Sequence, residues 1–154
     1  MEWLKFAHII TIIAAIGLAE ASILPIVLAA RRGDVVALRG AMAAGQLGEK
    51  VANPLALISI AFGIGAAIVG QIELTTSWLV GAYVLLATAI GLGLVGGFRH
   101  EERIVAAAGA SPSDRPSAEL QRLLDARWTG VVAFGPPLLM GGVVFLMVMK
   151  PNLW

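Results

Sequence analysis

The chain has no cysteine. Disulfides, thiolate metal sites and cysteine nucleophiles are thereby excluded, and any redox chemistry has to come from a bound cofactor. Charge is scarce as well: Asp, Glu, Lys and Arg supply 14% of the residues, against roughly 25% in a soluble domain. Catalytic signatures are missing too, with two histidines in the whole chain and one carboxyl, Glu20, inside its apolar runs. Nothing in this pattern implies nucleic acid as a partner, and it leans away from an enzyme.

What remains is apolar. Hydrophobic residues make up 58% of the 154 and the mean hydropathy is +0.87. They gather into four runs, Phe6–Ala30, Val51–Gly70, Trp78–Phe98 and Trp128–Met149, and Glu20 is the single formal charge inside them. Each run is near or above the ~20 residues that a helix needs to cross ~30 Å of hydrocarbon. The expectation is an all-α, polytopic four-transmembrane-helix bundle forming one integral membrane domain over 1–154. Its connections at 31–50 and 99–127 are the long ones. The first run is too long for a signal-peptide core and passes without a small-residue cleavage site into Arg31–Arg32, so it is expected to be retained, with the mature chain starting at or near Met1.

Basic residues sort by side. Arg31, Arg32, Arg39 and Lys50 lie in the first connection, and Arg99, Arg103, Arg115, Arg122 and Arg127 in the third. The second connection, Gln71–Ser77, has none, and the tails add only Lys5 and Lys150. Loops rich in Lys and Arg resist translocation. The two long connections are therefore expected in the cytoplasm and both termini on the outer side, as a multi-pass protein of the bacterial cytoplasmic (inner) membrane. Trp3, Trp78, Trp128 and Trp154 each stand at the end of a run, the headgroup depth that indole rings favour.

Local signals refine the elements. Asp34 suits the N-cap of a short helix over 35–44, and Ser117 that of a helix over 118–128 running into the fourth span. Asn53–Pro54 reads as a cap and first turn for the second span. Pro25 and Pro136–Pro137 are interior and should kink the first and fourth. The stretch 106–116, rich in Ala, Gly, Ser and Pro, reads as a loop, and the short outer hairpin should bring spans two and three together antiparallel. Gly93 and Gly97 give a small-xxx-small spacing for close helix approach, within the chain or to another subunit.

Three polar positions could carry chemistry. An acidic residue at mid-helix costs ~3 kcal/mol to insert, so Glu20 should face the bundle or a polar cavity, either as a proton or cation site or as a neutral acid bonded to backbone near Pro25. His8, about one turn inside the outer end of span one, could ligate haem or copper or serve as an interfacial hydrogen-bonding group. By depth, Met147 or Met149 of the fourth span could join it as a thioether ligand, or could simply pack. His100 is expected at the opposite face, solvated among Arg99, Glu101, Glu102 and Arg103, and too far from His8 to share a cofactor.

The opening Trp3-Leu4-Lys5-Phe6-Ala7-His8-Ile9-Ile10, the Arg31–Arg32 that ends the first span, the basic stretch Ala37-Leu38-Arg39 and, more loosely, Ser77-Trp78-Leu79-Val80 resemble a family of bacterial four-helix integral membrane proteins of unknown function. The opening is also similar to that of haem-dependent membrane protoporphyrinogen oxidases and copper-resistance D proteins. The resemblance implies haem b as cofactor with His8 as a ligand. In the oxidases the second ligand is a lysine of a later span, and no lysine occurs here between Lys50 and Lys150. Three functions follow as expectations. The first is a non-enzymatic accessory or structural subunit, packing with other membrane subunits or itself in the lipid bilayer. The second is a small haem- or copper-binding redox protein using His8, and the third a proton-coupled transporter using Glu20.

Overall fold

The computed structural model describes residues 2–151 and 153, and the expectation for Trp154 lies outside them. The described chain is all-helical: α1 (Glu2–Glu20), α2 (Ile23–Arg32), α3 (Val35–Val69), α4 (Ser77–Leu92), a π-helical turn (Gly93–Gly97), α5 (Phe98–Ala110), α6 (Ala118–Leu124) and α7 (Arg127–Met149). Four stretches are long and apolar enough to cross a membrane: α1 with α2, α3, α4 with the first residues of the π turn, and α7. Bulky aliphatic side chains cover their outsides, as expected where the surrounding solvent is lipid.

Two helices are longer than a membrane crossing requires. At 1.5 Å per residue, α3 is about 52 Å long, some 20 Å more than the hydrocarbon core. The unbroken succession of α4, the π turn and α5 covers 77–110 and is of similar length. Both excesses lie at the same end, where they meet α2 and α6 in a small hydrophobic core of Ala29, Val35, Leu38, Met42, Ile104, Ala107, Ala108 and Leu120. Val35, Leu38 and Leu120 are fully buried. This cap is packed around an apolar core as a soluble domain is.

Within the spans the helices pair. α1 lies along α3, and α4 along α7; between the pairs, contact is confined mainly to α3 with α5. Spans two and three, although consecutive, thus find their main partners elsewhere, contrary to the expectation from their short connection. A connection fixes proximity at one end only, whereas side-chain fit decides the partner. The α1/α3 seam is unusually close: a Cβ at Gly48 would stand 2.6 Å from the Leu18 carbonyl oxygen, and one at Gly45 2.6 Å from Ser22 Oγ.

Several boundaries move. Asp34 does cap its helix, accepting from Ala37 N at 2.9 Å, yet that helix does not stop at 44 but continues through Asn53–Pro54 to Val69. Pro54 removes a single hydrogen bond, that to the Lys50 carbonyl, and Lys50 sits on an exposed turn where water can replace it. Pro25 acts as expected: the interruption falls at Ala21–Ser22, where the Ala21 carbonyl has lost its donor. α7 runs through Pro136 and Pro137. The helix of span three does not end at Phe98, because the π turn carries it on into α5, shortening the expected loop to 111–117. Ser117 caps α6, accepting from Leu120 N at 3.2 Å, but α6 stops at Leu124, and α7 starts separately at Arg127.

Candidate functional site

His8 faces α3. Its Nδ1 lies 2.7 Å from the Ser59 carbonyl oxygen, and because a carbonyl only accepts, Nδ1 carries the ring proton. Ser59 Oγ donates in return to the His8 carbonyl at 3.0 Å. Ser59 is completely buried, and the ring stands over Gly63, where a Cβ would come within 2.9 Å of it. Ser59 and Gly63 are one turn apart, so the serine supplies the bonds and the glycine the room. With Ser59 Oγ also 3.0 Å from Nδ1, the result is a three-contact clasp between the first two spans. Thr11 and Thr88 bond within their own helices, to the carbonyls of Ala7 and Val84.

Met147 belongs to the other pair. It packs beside Ala82, Val143 and Leu146 at the α4/α7 seam, so the structure does not bring it to His8. Toward a haem or metal His8 can offer Nε2, since Nδ1 is engaged by the Ser59 carbonyl, and the packing partners of Met147 lie on α4 and α7, not on α1. Nor do three metal-ligating His, Asp or Glu side chains converge there.

His100 is not a free solvated group. It is half-buried, and its Nε2 meets Thr129 Oγ1 at 2.7 Å, while Thr129 donates its own hydroxyl proton to the Leu123 carbonyl. With that proton engaged, Nε2–H is the donor. The chain of bonds fastens α5 to the α6–α7 junction on the cap side, away from the His8 clasp.

Glu20 ends α1 beside the Ala21–Ser22 interruption. On α3, the Glu49 carboxyl is pushed above its usual range first by burial and then by the charge of Glu101. The latter two belong to a cleft of about 310 Å³ between α3 and α5, lined by Gln46, Glu49, Lys50, Asn53, Phe98, Glu101 and Glu102. On α3 these positions recur at three- and four-residue steps, one face of the helix. Lys50 makes no ion pair among the described residues. No family model, curated protein or solved structure matches the chain, so the site stands on its own geometry.

Gly93 and Gly97 sit at the two ends of the π turn. A Cβ at Gly97 would touch Val132 of α7 at 3.4 Å, whereas one at Gly93 would meet nothing within 4 Å. The closest helix approach is instead on α3, along Gly45, Gly48, Ala52, Ser59, Gly63 and Ala66. Their helical spacing was the available signal, masked because Ala and Ser count as ordinary members of an apolar run.

Proposed function

We propose that the chain is a non-enzymatic four-helix integral membrane protein of the bacterial cytoplasmic membrane, serving as an accessory or structural subunit that assembles with itself or with larger membrane subunits. The observation that carries this reading is the cap: one packed core, built from four helical segments, that joins two separate span pairs. The polar groups with the best claim to chemistry in the spans support it, because His8 and Ser59 are engaged in holding α1 to α3. Native mass spectrometry of the gently extracted protein tests it. Stoichiometric homo-oligomers or co-extracted subunits are expected, and a monomer that stays alone across mild detergents overturns the reading.

A second reading rests on Glu20 at the end of α1 and on the carboxyls Glu49 and Glu101 that line the α3/α5 cleft. Carboxyls within or beside membrane spans suit proton-coupled transport. Proteoliposomes would then show a pH-driven proton flux that Glu20→Gln abolishes; unaltered flux in that variant discards transport through Glu20.

A further inference from the structure

The α3/α5 cleft lies at a particular depth. Lys50 immediately precedes the apolar run that starts at Val51, and Phe98 is the last residue of the run that starts at Trp78. Its polar walls therefore sit where the spans emerge from hydrocarbon, at the level of lipid headgroups. Its volume of about 310 Å³ is at the lower end of the ~300–1,000 Å³ typical of small-ligand sites.

The cleft continues into the membrane as apolar surface. On α3 the face of Lys50 and Asn53 proceeds at three- and four-residue steps through Leu57, Ile60, Ile64 and Ile68, all exposed, Leu57 at 69%. On the other wall exposed Phe98 is followed toward the membrane by Leu94, 63% exposed, in the π turn, and by exposed Ile90 of α4. α3 and α4 have their main partners elsewhere, so these two stripes are unpartnered along the length of the spans. A polar head at the boundary with two apolar stripes below it has the amphipathic form of one membrane lipid.

We infer that this groove binds a diacyl phospholipid with a zwitterionic, primary-amine headgroup. Charge complementarity selects it. The head of the cleft carries three carboxylates, Glu49, Glu101 and Glu102, beside one unpaired ammonium, Lys50. An anionic lipid would offer Lys50 its phosphate but nothing to the carboxylates. A phosphoethanolamine headgroup supplies both halves, phosphate for Lys50 and an N–H-bearing ammonium for the glutamates, with Asn53 able to bond either. A choline headgroup has the charge but no N–H to donate. The inference requires only that the four helices span a bilayer, and holds whether or not the protein is a subunit of a larger assembly.

The intact protein, delipidated in detergent, is titrated with phosphatidylethanolamine, phosphatidylcholine or phosphatidylglycerol and followed by native mass spectrometry. One phosphatidylethanolamine per chain should bind in preference to the other two. The double variant Glu49→Gln/Glu101→Gln should weaken it roughly tenfold, for about 1.4 kcal/mol of charge-assisted bonding lost. The absent cysteines allow a second, independent measurement: a fluorophore on Leu94→Cys should be quenched more by phosphatidylethanolamine brominated on its acyl chains than by equally brominated phosphatidylcholine. Equal binding of the three lipids, selectivity unchanged in the double variant, or occupation of the cleft by a soluble cation or a partner helix that leaves Leu94→Cys unquenched would each overturn the assignment.

Discussion

Gly48 and Ser59 separate two ways of joining helices in a membrane. At Gly48 the neighbour is a backbone oxygen, which cannot swing aside, and an added methyl would stand 2.6 Å from it. Gly48→Ala must therefore push α1 off α3, at a cost of about 1–3 kcal/mol. Ser59→Ala removes the hydroxyl bond to the His8 carbonyl but leaves the Nδ1 bond to the Ser59 carbonyl intact; interhelical hydrogen bonds in membranes average only ~0.6 kcal/mol. In a thermal-unfolding series Gly48→Ala should be clearly the less stable of the two, and the reverse order would show that the polar clasp rather than close fit holds the seam. Arg39 makes a related point. It counts among the basic residues that suggest sidedness, yet its guanidinium also caps α5, donating from Nε to the Ala108 carbonyl at 2.8 Å and from Nη2 to those of Gly109 and Ser111. Arg39→Lys keeps the charge and loses the fork. It should lower cap stability by about 1–2 kcal/mol, read as faster amide exchange in 104–110, and unchanged exchange there would remove Arg39 from the cap.

At the scale of elements, α3 shows which signals survive translation from sequence and which do not. The apolar run from Val51 to Gly70 and the Asp34 cap are both in place, because hydrocarbon thickness and an N-terminal carboxylate act locally. Asn53–Pro54 misleads because proline at a first turn and proline inside an already nucleated helix look alike in sequence. They differ only in whether Lys50 to Asn53 are helical, which the cap core decides through Leu38 and Met42. Helix pairing was not legible, since hydropathy marks that a helix lies in lipid and not which neighbour it meets. His8 stood out, but its partner Ser59 lies 51 residues away in a run where a serine draws no notice. Continuity of α3 is directly measurable. Spin labels on Ala44→Cys and Val69→Cys, both exposed positions, are 25 residues apart and should stand about 37 Å apart along an unbroken helix. A right-angled break at Asn53–Pro54 would bring them to roughly 28 Å on the same rise per residue.

For the whole molecule, the two ends are built from different physics. The cap end is a water-type apolar core ringed by most of the basic residues, including Arg31, Arg32, Arg39 and Arg103. The other end is thin: a short turn at 70–76, and the Lys150 ammonium held 5.6 Å from the centre of the Trp78 ring. A cation over an indole is stable in the headgroup layer, where the ring is half in lipid and the charge is wet. Moving the cap across the membrane would mean translocating a folded core of four helical segments with nine basic residues in its two connections, against two in the tails. The cap should therefore face the cytoplasm. Reporter fusions decide the matter: a phosphatase fused after Ala110 should be inactive and one inserted at Leu74 active, with the opposite pattern for a cytoplasmic fluorescent reporter. Same-side results at Ala110 and Leu74 would contradict the two-ended arrangement itself, whereas a clean inversion would keep the fold and place the cap, with its lipid cleft, in the outer leaflet.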